Sequence, residues 1–217
     1  MPAPREPARD LSQVLNWLAV LWAIEFIDIA LTFMWGPTIG IPRNHWLGGG
    51  YLDYQFGLRP LRWGAPLDQW QTWRGGALGI PCAPFLHAGL AHLAANSLGI
   101  LILLWSSLKY SHRLTWIAVS WSALTSGLLT WLIGDPATCH VGASGVIFGL
   151  IGFLLGNGIF RRDFVSILLA ILVILLYGGA WSGMVPGMAG TQVSWQMHLG
   201  GFIGGVLCSM NLRDAKA

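Results

Sequence analysis

The sequence predicts an all-α integral membrane protein, a bundle of six transmembrane helices with a long structured loop between the first two. Hydrophobic residues make up 54% of the 217 residues, charged residues 10%, and the mean hydropathy is +0.60. A soluble domain of this size carries about a quarter charged residues. The chain also contains 13 tryptophans, a residue type that gathers at bilayer interfaces. These observations place the chain in the membrane class.

Apolar stretches of about the length that crosses a bilayer, roughly 20 residues, recur along the chain. The predicted spans are Val14–Met34, Leu86–Trp105, Leu114–Ile133, Gly142–Phe160, Phe164–Trp181 and Trp195–Met210. Each span should be a helix, because hydrocarbon offers no hydrogen-bond partner to an open backbone. Together the spans define one domain over residues 14–211, with polar tails at 1–13 and 212–217.

The connection between the first two spans, at about residues 35–85, differs from all the others in length. A connection of this length is rarely idle in a compact protein. It is rich in Pro, Gly and Arg and contains Trp46, Trp63, Trp70 and Trp73. We therefore expect a structured loop that lies partly in the membrane interface.

Basic residues predict the orientation of the chain. They concentrate in the tails and in two short loops: Arg5, Arg9, Lys109, Arg113, Arg161, Arg162, Arg213 and Lys216. Short loops rich in Lys and Arg stay in the cytoplasm, so both termini are expected to be cytoplasmic in a bacterial plasma membrane. The arginines of the long loop oppose this rule, but long loops translocate largely regardless of charge. The net charge of +3 therefore indicates topology, and nucleic-acid binding is excluded.

The three cysteines, Cys82, Cys139 and Cys208, show neither CxxC spacing nor a metal-ligand pattern. Cys208 lies in an apolar stretch and is expected to pack there. Cys82 and Cys139 fall on the same side of the membrane, and a disulfide between them stays open. The sequence predicts no metal and no organic cofactor.

The second, fourth and sixth spans all enter from the outer face in this topology, so their N-terminal ends lie at similar depth. Those ends hold the unusual polar residues of the spans: His87, His92, Asn96, Ser144 and His198. Polar groups inside a membrane are costly and tend to face a polar cavity. Their common depth predicts a single site.

Ser144 begins a helix within Gly142-Ala143-Ser144-Gly145. The positive end of the helix dipole and the free backbone N–H groups there suit a nucleophile whose product is an oxyanion. The alternative is a helix-capping serine. Glycines at four-residue spacing in the fourth and sixth spans let the two helices approach closely. If those faces meet, Ser144 and His198 can act as nucleophile and general base.

His92 and Asn96 are four residues apart and share one helical face. Hydrogen-bond donors aimed at an oxyanion are worth roughly 3–4 kcal/mol each; the alternative is a polar face that ties the second span to its neighbours. His87 is expected to support the loop. Asp135 and His140, in the loop before Ser144, are assigned no chemistry.

Glu25 and Asp28 share a face in the outer half of the first span. They are expected to contact the long loop or water, and they too are assigned no chemistry.

The pattern His87-x4-His92-x3-Asn96, then Gly142-x-Ser144-Gly145, then His198 followed by paired glycines resembles the rhomboid intramembrane serine proteases. The six-span form resembles the basic bacterial type, and the stretches at 56–60 and 83–88 resemble an actinobacterial branch. The resemblance implies that Ser144 is the nucleophile and His198 the base.

The same resemblance implies that His92 and Asn96 join the Ser144 backbone N–H in an oxyanion hole. It also implies that Phe148, where many relatives have Tyr, stacks on His198. Trp73-Arg74 would match the family's Trp-Arg pair in the first loop, although the gap to His87 is longer here.

The expected function is hydrolysis of peptide bonds in transmembrane protein substrates near the outer membrane face. The expected partners are those substrates and the lipid bilayer, and the oligomeric state stays open. One alternative is a catalytically inactive relative that binds membrane clients; the presence of Ser144 and His198 argues against it. Another is a small transporter, because glycine-interrupted spans with polar residues also mark transporter sites, but no repeated half is visible.

Overall fold

The protein is described by a computed structural model over residues 7–41, 49–61, 76–190 and 193–212. Eight α-helices lie in these ranges: α1 (Pro7–Trp35), α2 (Tyr51–Phe56), α3 (Gly79–Cys82), α4 (Leu90–Tyr110), α5 (His112–Ile133), α6 (Ser144–Phe160), α7 (Phe164–Tyr177) and α8 (Trp195–Asn211). Short 3₁₀ helices occupy Gly36–Ile39, Ala83–Phe85 and Gly178–Met184. The described residues form no strand, only an isolated bridge between Leu58 and His140. The all-α prediction is confirmed.

Within the described ranges, four helical segments are long and apolar enough to cross a membrane: Arg9–Ile39, Leu90–Tyr110, His112–Ile133 and Phe164–Met184. The protein is therefore a multi-pass membrane protein. Helices α6 and α8 are shorter, with 17 residues each. The count of six spans stays a prediction.

Several helix ends differ from the predicted spans. Helix α1 begins at Pro7, inside the segment that was expected to be a tail. Helix α4 begins at Leu90 rather than Leu86 because Gly89, with φ +97°, interrupts the chain before it. Helix α5 begins at His112, where the Ser111 hydroxyl accepts the Leu114 N–H and caps the first turn.

Helix α6 forms the centre of the bundle and packs most extensively against α8. A Cβ atom at Gly201 would collide with the carbonyl oxygen of Gly145, and one at Gly205 with that of Gly149. The two backbones are therefore in direct contact, as close-packed small residues allow in membranes. The prediction that these two glycine faces meet is confirmed.

Helix α1 runs antiparallel to α4. Asp10 near its start pairs with Lys109 at 2.7 Å, and Trp22 donates to the Ser97 hydroxyl at 3.1 Å. Trp17, which lies between those two contacts, stacks on Phe85 with ring centroids 5.7 Å apart. The segment before α4 therefore turns back into the bundle. It places Phe85 against Trp17 of α1 rather than in the first turn of α4.

The first loop is attached to α1 by two hydrogen bonds from the backbone of α2. Asp28 accepts the Leu52 N–H at 2.6 Å, and the Thr32 hydroxyl accepts the Tyr51 N–H at 2.7 Å. The expected contact between Asp28 and the long loop is confirmed. The four tryptophans named above and Arg74 lie outside the described residues.

Candidate active site

A cavity of about 950 Å³ opens beside the N-terminal ends of α6 and α8. Its walls come from α4, the loop at 134–143, α6, the segment after α7 and the start of α8. The lining includes five residues singled out in the sequence: His92, Asn96, Ser144, Phe148 and His198. The structure therefore brings together four of the five polar residues whose common depth predicted one site, while His87 is buried and does not line the cavity.

Ser144 is the first residue of α6 and is half-buried in the cavity wall. Gly142, two residues earlier, has φ +121°, a conformation that favours glycine. A Cβ atom at Gly142 would also lie 2.7–2.8 Å from the His92 ring and 3.3 Å from Asn96 Nδ2. Glycine at this position lets the chain turn into α6 directly against those two side chains.

The segment that leads into Ser144 is held on its other side by the loop before α4. The Gly142 N–H donates to the Ala83 carbonyl at 2.9 Å, and the Ala143 N–H donates to Nε2 of His87 at 3.5 Å. Burial, with a smaller contribution from His92, lowers the pKa of His87 to about 3. The ring is therefore neutral near pH 7 and can accept the bond from the Ala143 N–H.

A second contact comes from the first loop. Leu58 and His140 exchange two backbone hydrogen bonds of 3.0 and 2.8 Å. Their bridge fixes the loop at 134–143 from outside the cavity. This contact joins residues far apart in the sequence, and no local pattern indicates it.

His198 is oriented by two contacts. Its Nδ1 lies 3.0 Å from the Gly183 carbonyl oxygen, and its ring stacks on Phe148 with centroids 4.0 Å apart and planes at 13°. A carbonyl oxygen only accepts, so Nδ1 carries the proton and Nε2 keeps its lone pair. This tautomer is the one that a general base needs. Sequence reasoning did not identify Gly183, since a backbone acceptor leaves no side-chain signal.

His92 and Asn96 present hydrogen-bond donors to the cavity. The Ala88 N–H donates to Nδ1 of His92 at 3.4 Å, which leaves the proton on Nε2, the atom that faces Gly142. Asn96 is buried, and its Nδ2 has no hydrogen-bond partner in the described part of the chain. Two donors thus lie beside the start of α6, and one of them, Asn96 Nδ2, has no acceptor among the described residues.

The structure also places Gly145, the cysteines and Asp135, which the sequence analysis named. Gly145 packs against the Ser126 hydroxyl and α8, so it serves the helix crossing. Cys82 and Cys139 are free thiols rather than a disulfide. Within the described ranges no group of three or more His, Cys, Asp or Glu side chains is arranged to hold a metal ion. Asp135, to which the sequence assigned no geometry, lines the cavity.

Comparison with known proteins adds an independent finding. Residues 69–214 match the Rhomboid domain. The chain is 35% identical to an uncharacterised protein of Mycobacterium tuberculosis, over 94% of this chain and 77% of that protein. It is 29% identical to the Bacillus subtilis protein named "Putative rhomboid protease YdcA", over 90% of this chain and 84% of that one.

A more distant relative is RHOMBOID-like protein 7 of Arabidopsis thaliana, which is 27% identical over 68% of this chain and 45% of its own length. No solved structure matches the chain.

Proposed function

The chain belongs to the rhomboid family, and from that premise we propose that it is an intramembrane serine endopeptidase with Ser144 as nucleophile and His198 as general base. The observation that carries the proposal is the convergence of Ser144, a His198 tautomer with its lone pair on Nε2, and two donors in one cavity. Residues that only pack together do not require a histidine with a free lone pair beside a serine and two hydrogen-bond donors.

The first half of the reaction forms an acyl-enzyme. Ser144 Oγ attacks the carbonyl carbon of the scissile peptide while Nε2 of His198 takes the hydroxyl proton. The carbonyl oxygen becomes an oxyanion, which Nε2–H of His92, Nδ2–H of Asn96 and the Ser144 backbone N–H stabilise. When the C–N bond breaks, His198 returns its proton to the leaving amine.

The second half repeats these steps with water. His198 takes a proton from a water molecule, the resulting hydroxide attacks the acyl carbon, and the proton returns to Ser144 Oγ as the ester bond breaks. The products are a carboxylic acid and the regenerated enzyme. Phe148 and the Gly183 carbonyl keep the imidazole in place through both halves.

The proposed substrates are transmembrane proteins cut near the outer end of a membrane helix. The cavity lies at the N-terminal ends of α6 and α8, which face outward if both termini are cytoplasmic in the plasma membrane. A site at that end gives water access to a bond that is otherwise in hydrocarbon. The domain that performs this chemistry is the predicted unit at residues 14–211.

The proposal is tested on purified protein in detergent with a fluorophosphonate probe and a fluorescent transmembrane substrate. Ser144→Ala should lose probe labelling entirely and lose cleavage by at least about 10³-fold, because the covalent intermediate cannot form. His198→Ala should also lose cleavage. Ser120→Ala is the matched control, since that hydroxyl is exposed and, among the described residues, donates to the Trp116 carbonyl of its own helix.

Cleavage by Ser144→Ala at the wild-type rate would refute the proposed mechanism. A wild-type protein that neither labels nor cleaves, yet retains bound membrane proteins, would instead support a catalytically inactive relative. Transport of a solute into proteoliposomes without cleavage would support a transporter.

A further inference from the structure

The cavity lining is nearly free of formal charge. Apart from its histidines, the described lining residues are apolar or neutral polar, and the single carboxylate among them is Asp135. Asp135 is exposed and lies in the loop between α5 and α6. Because the described lining holds no other formal charge, Asp135 sets the sign of the potential that an occupant meets in this part of the cavity, while water screens its strength.

The carboxylate of Asp135 is held in place by its own turn. Its Oδ1 accepts the Ala137 N–H at 2.9 Å, and its backbone oxygen accepts the Thr138 N–H at 3.0 Å and the Thr138 hydroxyl at 2.6 Å. No described residue donates a hydrogen bond to Oδ2 or forms an ion pair with Asp135. The turn therefore fixes the position of the carboxylate, and Oδ2 can accept a hydrogen bond from an occupant of the cavity.

Two described groups in this region, His140 and Arg59, form no ion pair with Asp135. His140 shares a 2.7 Å hydrogen bond with the Thr138 hydroxyl. Burial lowers the pKa of His140 to about 4, although Asp135 pulls it upward, so the ring is neutral at pH 7. Arg59 donates to the Tyr54 carbonyl at 2.9 Å and lies over the Tyr54 ring, and it does not line the cavity.

We propose that Asp135 is a specificity-determining residue that selects substrates carrying a Lys or Arg side chain close to the scissile bond. This inference rests on the proposed protease function and names the substrate class of the same site. A fixed carboxylate gives an extended substrate a charged anchor, and it repels a substrate that carries Asp or Glu at that position. Both effects favour basic substrates.

A purely structural role of Asp135 makes a different prediction. The carboxylate is already an acceptor in its own turn, a common use of Asp. Asparagine keeps that acceptor and removes only the charge, so a structural role predicts no change in Asp135→Asn. Asp135→Asn therefore distinguishes a role in substrate selection from a structural role in the turn.

The test compares cleavage of a fluorescent transmembrane substrate in which Lys, Gln or Glu replaces each of the three residues on either side of the cut. In the wild type, Lys at one or more of these positions should raise kcat/KM about two- to fivefold over Gln, the range of one exposed ion pair, and Glu should lower it. Asp135→Asn should bring the Lys to Gln ratio to about one. Asp135→Glu should keep the preference, and Asp135→Lys should reverse it toward Glu.

Asp163→Asn is the matched control. Asp163 caps α7 by accepting the Ser166 N–H at 3.0 Å, a role that Asn also fills, and it follows the far end of α6. Removing this charge should leave the Lys to Gln ratio unchanged. Its result shows whether net charge alone, rather than charge in the cavity, sets the preference.

Two results would overturn the inference. One is equal kcat/KM for Lys and Gln substrates in the wild type, and the other is a Lys preference that survives in Asp135→Asn. Neither touches the proposed function, because the Gln substrate must still be cleaved by the wild type and spared by Ser144→Ala. Failure of that last comparison would refute the protease assignment itself.

Discussion

The contacts of His198 bear on how the proposed serine–histidine pair would work without an acidic third member. In a triad the acid fixes the tautomer of the histidine and stabilises the imidazolium. Here the Gly183 carbonyl fixes the same tautomer through Nδ1, and Phe148 holds the ring plane. A carbonyl dipole stabilises an imidazolium less than a carboxylate does, so the proposed mechanism requires the proposed oxyanion donors to supply more of the stabilisation of the transition state.

Among the proposed oxyanion donors, Asn96 is the one whose removal should lower activity with the least effect on the folded structure. Asn96→Ala removes a buried Nδ2 that has no hydrogen-bond partner in the described structure, so no bond made by Nδ2 in the resting protein is broken. We expect kcat for the transmembrane substrate to fall about 10²- to 10³-fold, with KM little changed, as for a group that acts only in the transition state. Steady-state kinetics in detergent measure both constants.

Ser97→Ala is the control for Asn96→Ala. The Ser97 hydroxyl accepts the Trp22 N–H at 3.1 Å and donates to the Leu93 carbonyl at 2.8 Å. Its loss should lower the free energy of unfolding by about 1 kcal/mol and leave kcat within twofold. If the two variants lost equal activity, Asn96 would be a packing residue.

His140 makes stability depend on pH. Burial lowers its pKa from 6.5 to about 4, so the folded state holds the ring neutral while the unfolded chain takes up a proton below pH 6.5. The stabilisation is full above pH 6.5 and is lost as pH falls from 6.5 toward 4, at most about 3 kcal/mol. Thermal unfolding in detergent across this interval measures the loss.

His140→Gln keeps a side chain that can bond to Thr138 but cannot titrate. The fall in melting temperature between pH 6.5 and 4 should be smaller in this variant. Part of the fall should remain, because His87 is also buried and neutral. An identical pH profile in both proteins would show that His140 is not a source of the dependence.

Among the elements, the crossing of α6 and α8 should tolerate the least change. A Cβ atom at Gly205 would collide with backbone atoms of Gly149 and Phe153 rather than with a movable side chain. We expect Gly205→Ala to lower the free energy of unfolding by about 1–3 kcal/mol or more, the cost of overpacking. Cleavage should fall as well, because His198 lies two turns earlier on the same helix.

Gly179→Ala provides the comparison. No atom of the described residues lies within 4 Å of a Cβ atom at Gly179, so Gly179→Ala should change the free energy of unfolding by less than about 0.5 kcal/mol. Denaturant or thermal unfolding of both variants in one detergent decides the point. Equal stability of the two would mean that the helices separate readily to accept a methyl group.

The crossing of α6 and α8 also shows which contacts between elements can be predicted from the sequence. Glycines at four-residue spacing are a local pattern with one physical meaning in membranes, so the contact of α6 with α8 was predicted correctly. The re-entry of Phe85 toward Trp17 was not predicted. Its segment is apolar enough to extend the second span, and hydropathy cannot distinguish a re-entrant turn from the first turn of a helix.

At the scale of the whole molecule, the sequence predicted that the site residues lie together because the second, fourth and sixth spans enter the membrane from the same face. Spans that enter from one face place their N-terminal ends at one depth, and the cavity contains residues from all three such spans. The bridge between Leu58 and His140 and the position of Asp135 depend on long-range contacts of loops. Such contacts leave no periodic signal, so sequence reasoning could name those residues but not place them.

The orientation of the whole molecule in the membrane gives the last prediction. If both termini are cytoplasmic, the cavity end of the bundle faces outward, and Cys139, an exposed residue in the loop at 134–143, should react with a membrane-impermeant maleimide on intact cells. The reaction should be slow, because burial of the sulfur raises the pKa of the thiol. Cys208 is buried and should not react. Cys82→Ala and Cys208→Ala together leave Cys139 as the single thiol of the chain.

Arg113→Cys in a variant without the three native cysteines reports the opposite end. Arg113 is exposed in the first turn of α5, a helix of 22 residues, so about 30 Å separates it from the loop at 134–143. Its thiol should react only after the cells are permeabilised, because the short basic loop there stays in the cytoplasm. The reverse pattern at the two positions would invert the topology and move the proposed cleavage site to the cytoplasmic face, while leaving the chemistry of Ser144 and His198 unchanged.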